Sequence, residues 1–174
     1  MIPGTMGIVE HIHIARERGG PVEAVREVEA VKGRGLIGDR NALAPGEWDD
    51  SHIGEELTLV EAEQIEHLER EAGIHLEPGE SRRNLTTRGI ALNDLVGRRF
   101  RVGEVVAEGV ELCEPCQDLQ RMLGKPIIRP LVHRAGLRAM LVDGGMIRVG
   151  DPVEDLGRAE AITASAGEPE HAPL

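Results

Sequence analysis

From Arg83 onward the chain is cut into short runs bearing Val and Leu: Arg83 to Gly89, Phe100 to Val102, Val105 to Leu112, Leu137 to Asp143 and Met146 to Val149. Gly97, Gly103, Pro115 and Gly144-Gly145 separate them. Many short strands at close spacing, joined by hairpin-like turns such as Asp143-Gly144, build a barrel or a closed, strongly bent sheet. The interior of that sheet must be aliphatic, because 174 residues include one Trp, one Phe and no Tyr. A chain of this length favours one domain and buries about 70% of its unfolded surface without a disulfide scaffold.

The remaining segments fit a mainly β protein with a few short helices. Ile8 to Ile14 alternates apolar and polar residues, apart from Val9, and reads as a strand within Gly7 to Ala15. Val22 to Val31 matches helix spacing by count, but its Val content and the following Gly33-Arg34-Gly35 favour a strand ending in a tight turn. Asn41 to Gly54 lacks periodicity and reads as a loop. Thr58-Leu-Val-Glu61 has the form of a capping box, so the clearest helix is expected over Val60 to Ala72, stopped by Gly73. Gln117 to Leu123 and Ile127 to His133 read as short helices. After Leu156 the chain turns to Ala, Glu, Pro and Gly, which predicts a domain over 7–155 and a disordered tail over 156–174.

Charge excludes several functions. The net charge of -11 repels phosphate backbones, and two aromatics cannot form a base-stacking row, so no nucleic-acid partner is expected. No apolar run of about 18 residues and no signal peptide is present, so no membrane partner is expected either and the location reads as cytoplasmic. The charge is also unevenly placed. Twelve acids against Arg70 alone fill Gly46 to Glu80, whereas Ser81 to Arg101 carries six arginines against Asp94. Arg suits bidentate capture of phosphate or carboxylate.

Cys113-Glu-Pro-Cys116, directly after an expected strand, is the strongest chemical signal. A structural zinc site would need two more ligands, with His11 and His13 folding in from far away. A thioredoxin-like dithiol would need a βαβ setting. One reactive thiol beside a neighbour, or two buried small residues, are the other readings. Two further elements carry polar chemistry: Gly35-Leu-Ile-Gly38-Asp39-Arg40, and Arg82-Arg83-Asn84 followed by Thr86, Thr87 and Arg88. Glycines let a backbone approach a ligand, Asp39 and Arg40 can pair with each other, and adjacent arginines on a strand would point to opposite faces. Each element alone reads more readily as a surface salt-bridge network.

Taken in order, these pieces resemble the MOSC domain, the family named for the C-terminal part of molybdenum cofactor sulfurase. The matching pieces are Gly35 to Arg40, Arg82-Arg83-Asn84, Gly89 to Leu92, Leu95 to Gly97, Phe100 to Gly103, Pro115-Cys116 with Leu119, Gly136 to Ala139 and Gly145 to Asp151. The resemblance implies a β-barrel-like MOSC fold and a site for molybdenum cofactor (molybdopterin) or its sulfur, with Cys116 as functional thiol and metal ligand. Gly38, Asp39, Arg40, Arg82, Arg83, Asn84 and Thr86 are the expected cofactor-binding residues, with Arg on the phosphate and amide or hydroxyl groups on the pterin edge. Cys116 is expected to be partly accessible, with nearby arginines favouring its thiolate. Two activities fit this set: reduction of N-hydroxylated compounds with electrons from a separate reductase, or persulfide transfer with sulfur from a separate cysteine desulfurase. A non-catalytic module for an anionic ligand and a CxxC dithiol redox protein are the alternatives. Cys113 is an addition to the family pattern, where a single cysteine is frequent.

Overall fold

The structure is a computed structural model that describes residues 6–159. Its strands are β1 (Met6–Ala15), β2 (Val22–Val25), β3 (Glu27–Val31), β4 (Gly35–Leu36), β5 (Leu57–Glu61), β6 (Leu85–Arg88), β7 (Arg98–Val102), β8 (Val105–Leu112), β9 (Leu137–Asp143), β10 (Gly145–Arg148) and β11 (Pro152–Arg158). Three helices accompany them: α1 (Ala62–Ala72), α2 (Gln117–Leu123) and α3 (Ile128–Leu131). The main sheet has the order β11-β7-β8-β9-β5-β6-β1-β2. Its seven strands from β11 to β1 close on themselves, because Met6 to Ile8 also pair with Pro152 to Glu154. A mainly β, closed barrel with short helices is thus the fold, as the glycine-cut runs imply. A small sheet, β10-β3-β4, lies beside it.

Only β5 and β6 pair in parallel in the barrel, and a parallel pair needs a crossover. Helix α1 supplies it and packs outside the barrel. Residues such as Val9, Ile12, Leu59, Leu85, Phe100, Leu137 and Val153 form the main apolar cluster. A second cluster, Leu68 and Leu76 with Leu119, Ile127 and Leu131, joins α1 to α2 and α3. The lone Phe is fully buried, and the rest of both clusters is aliphatic.

Five expectations are corrected. Thr58 to Glu61 is not a capping box: it is strand β5, α1 starts at Ala62, and Glu61 makes no side-chain cap bond. Leu57 to Val60 are all buried, since a central strand covered by barrel core on one side and helix on the other loses its alternation. Val22 to Val31 is extended but broken at Arg26, so that β2 continues the main sheet while β3 joins the small one. The run expected from Arg83 begins at Leu85, after a left-handed Arg82 with φ 60°, and α3 is shorter than Ile127 to His133, ending at Leu131 because Val132 leaves helical geometry at ψ 125°. Leu156 to Arg158 belong to β11 rather than to a tail. A bulge after Asp155, with Gly157 at φ 106°, carries the pairing on to Arg98. The rest of the expected tail, 160–174, lies outside the described residues.

Gly136 closes the barrel at close quarters: a Cβ there would sit 2.1 Å from the Leu59 carbonyl oxygen, at φ 124°. Gly136→Ala is expected to cost about 3 kcal/mol in urea unfolding, against about 1 kcal/mol for Gly97→Ala, whose surroundings are open.

His13, only 5% exposed, lies on the outer side of β1 against Gly79, where an added Cβ would approach its ring to 2.6 Å. Burial, and then His11, hold its pKa below the ordinary histidine value. Below pH ~6.5 the unfolded chain therefore takes up a proton that the folded chain refuses. Stability is expected to fall as pH drops through this window, by at most about 1.4 kcal/mol per pH unit from this group. His13→Leu should flatten that part of the stability profile.

Candidate functional site

The two cysteines lie on either side of a chain reversal. Cys113 follows β8, is 1% exposed, and donates its backbone N–H to the Gly136 carbonyl at 2.8 Å. Cys116 is exposed and caps α2, its Sγ accepting the Leu119 N–H at 3.4 Å. Pro115 disfavours helix at the residue before it, so the turn carries Cys116 outward to the helix start. Only Cys116 presents a thiol to solvent.

Arg83 holds this turn. Its Nε donates to the Ala135 carbonyl at 3.0 Å, and its Nη2 donates to the Cys113 carbonyl at 3.3 Å and the Glu114 carbonyl at 3.5 Å. Burial lowers the Arg83 pKa from its ordinary value; Cys113 opposes this, Arg138 adds to it, Cys116 opposes it and Arg40 adds to it. Arg83 is therefore in electrostatic reach of both thiols and of two further arginines.

Arg82 turns away at its left-handed backbone. Its Nη1 donates to the Gly20 carbonyl at 2.8 Å, while its Nη2 is buried without a hydrogen-bond partner. Burial lowers its pKa, Arg40 lowers it further and Asp39 opposes both. Arg40 donates to the Arg82 carbonyl at 3.1 Å and to Asp39 Oδ1 at 3.3 Å, so the expected Asp39-Arg40 pairing is present. Asp39 is a structural acceptor as well, taking the Ala15 N–H at 3.0 Å and the Asn41 N–H at 3.3 Å. Gly38 is exposed, with φ 93°.

The structure thus places Arg40 on the Arg82 carbonyl and Arg83 on the carbonyls of the Cys113-Glu114 turn that leads to Cys116. It does not bring Asn84 or Thr86 with them as free groups. Asn84 is buried and takes Thr58 N–H and Oγ1–H on its Oδ1, both at 3.1 Å, while its Nδ2 donates to the His13 carbonyl at 3.2 Å. Thr86 opens instead into a separate cavity of about 230 Å³ whose wall holds neither cysteine and none of Arg40, Arg82 and Arg83. Adjacent arginines do diverge, though through the left-handed φ at Arg82 and not by strand alternation. Sequence reasoning missed Arg138, half-exposed on β9 beside Glu111 at 3.9 Å. Its signal was the Gly136-Leu-Arg-Ala piece. Among the described residues no group of three or more His, Cys, Asp or Glu is placed to hold a metal ion.

The sequence pattern of the MOSC domain matches residues 47–154, most of the barrel and the whole thiol turn. The chain belongs to the MOSC domain family. Among curated proteins none matches it. Solved structures share the MOSC fold at low identity. The YuaD protein from Bacillus subtilis is 15% identical, with TM-score 0.75 over 89% of this chain and 98% of that one. YiiM from Geobacillus stearothermophilus is 13% identical, with TM-score 0.63 over 86% and 75%. YiiM from Escherichia coli is 18% identical, with TM-score 0.58 over 100% and 80%. No helix among the described residues is long and apolar enough to cross a membrane.

In this MOSC domain a lysine cannot replace the Arg83 fork, because a point ammonium cannot span carbonyls on two segments. Arg83→Lys should destabilise the fold by roughly 2 kcal/mol, the scale of charged hydrogen bonds. It should also release the Cys113 turn. Mass spectrometry after brief iodoacetamide treatment should find Cys116 alone modified in the parent protein and both cysteines modified in Arg83→Lys.

Proposed function

We propose that this MOSC protein binds molybdenum cofactor with the Cys116 thiolate as metal ligand, and reduces N-hydroxylated compounds with electrons from a separate reductase. The observation that carries this reading is one exposed thiol, Cys116, following a turn held by Arg83, whose guanidinium bonds carbonyls and no carboxylate. The donor set suits the cofactor's anionic end and its metal. Arg82 offers a buried, unpartnered Nη2, and Arg40 bonds the Arg82 backbone carbonyl. A soft thiolate is the ligand type that molybdenum chemistry asks for. The fit does not extend to Asn84, whose amide is committed to Thr58 and His13, nor to Thr86.

When bound, the cofactor supplies a metal that can change oxidation level by two electrons. The chain's own residues divide the remaining work. Arg82 and Arg40 would hold the phosphate, Arg83 fixes the turn that carries Cys116, and burial of Cys113 would keep a second thiol from competing. A second reading is favoured by the openness of Cys116: a thiol on an exposed helix start suits a persulfide, received from a cysteine desulfurase and handed to another protein.

Both readings place the chemistry on Cys116. In protein made with full cofactor supply, Cys116→Ser should lose bound molybdenum or persulfide while keeping its fold, because a hydroxyl is a harder ligand and cannot carry sulfane sulfur. Arg82→Gln should weaken pterin retention by about 1.5 to 3 kcal/mol and leave Cys116 alkylation unchanged. Molybdenum, pterin and persulfide are measured on each variant. Loss of molybdenum selects the reductase and loss of persulfide the carrier; full retention of all three in Cys116→Ser overturns the assignment.

A further inference from the structure

A cavity of about 230 Å³ opens between the outer side of β1 and β6, helix α1 and the 76–81 segment. It is separate from the thiol turn. Its apolar lining comes from Ile65, Leu76 and Pro78. Its charge comes from Glu10, Glu66 and Arg88, with Arg88 donating to both carboxylates at once. Glu77, also at the wall, is taken up by His75 Nε2 at 2.9 Å. Two carboxylates against one guanidinium leave one negative charge in excess. Two further polar side chains line the same space. One is the Thr86 hydroxyl, on a residue 7% exposed; the other is the His11 imidazole, whose ring contact is with His13 at 6.0 Å.

An apolar cavity with a few convergent polar groups is the usual form of a small-molecule site. An anion would have to displace Glu10 or Glu66 from Arg88, whereas a cation meets the unbalanced carboxylate directly. The Thr86 hydroxyl at the cavity wall can accept a hydrogen bond from a bound N–H. We propose that this cavity binds a small organic monocation, an amine or amidinium carried on a short apolar body. The proposal does not rest on the role of Cys116.

The test uses the full chain and three flat probes of similar size: benzamidinium, neutral benzamide and benzoate. Titration followed by NMR should give benzamidinium a dissociation constant in the millimolar range or tighter, with benzamide at least about tenfold weaker and benzoate without saturation. Thr86→Val, which keeps the shape and removes the hydroxyl, should weaken benzamidinium by about fivefold. Ile65→Trp should fill the space and abolish binding. If Ile65→Trp fails to fold, Thr86→Val still decides. Benzoate binding as well as benzamidinium, no binding of any probe at millimolar concentration, or an unchanged affinity in Thr86→Val would each overturn the proposal.

Discussion

The buried Asn84 amide ties three barrel strands together where β6 begins. It accepts from Thr58 of β5 by main chain and side chain, donates to His13 of β1, and its own backbone N–H and carbonyl are bonded to Thr58 Oγ1 and to the His13 N–H. A buried hydrogen-bonded network of this kind specifies one register, whereas removing one member strands the others without partners. The register matters because Arg82 and Arg83 immediately precede it. Asn84 fixes where the two guanidiniums start; the left-handed backbone at Arg82 then sends one toward Gly20 and the other toward the cysteine turn.

From that anchor the thiol site follows by short steps. Arg83 bonds carbonyls and not carboxylates, so its charge is positioned without being cancelled. Arg40 adds a second charge, only partly answered by Asp39, which is itself held by Ala15 and Asn41. Gathering such charges is unfavourable unless an anion or a thiolate faces them. The barrel, held by its core, can sustain this local cost.

Much of the barrel was legible because its cues are local. Pro115 and Gly124 mark the two ends of α2, and the glycine-cut runs gave the strands of the barrel's second half close to their true bounds. The misreadings share a cause: the deciding partner is distant in sequence. Thr58 and Glu61 have the residue types of a capping box, but Thr58 bonds Asn84 across the sheet. Asn84 itself has the chemistry to read a heterocycle, and no local pattern shows that the barrel uses all of it. Arg158 follows no apolar period, yet pairs opposite Arg98 through a bulge. For the site, Cys116 was separable from Cys113 through the resemblance, while Arg138 was hidden in a motif that read as strand.

The clustering of arginines over Ser81 to Arg101 also resolves by partner type. Arg98 meets Asp155 at 3.0 Å, Arg99 meets Glu108 at 3.6 Å, Arg101 meets Glu154 at 3.9 Å, and Arg88 is shared by Glu10 and Glu66. These four stabilise neighbouring strands or line the acidic cavity, and their charge is locally balanced. Arg82 and Arg83 alone in this stretch direct their bonds to carbonyls, which leaves their charge available. The same strand, β6, therefore separates two regions of opposite preference: its start faces the thiol with uncancelled positive charge, and its outer side, under an acidic α1, leaves a negative excess. A count of residues shows only an arginine-rich segment; the chemistry depends on which of those guanidiniums meet a carboxylate and which meet a carbonyl.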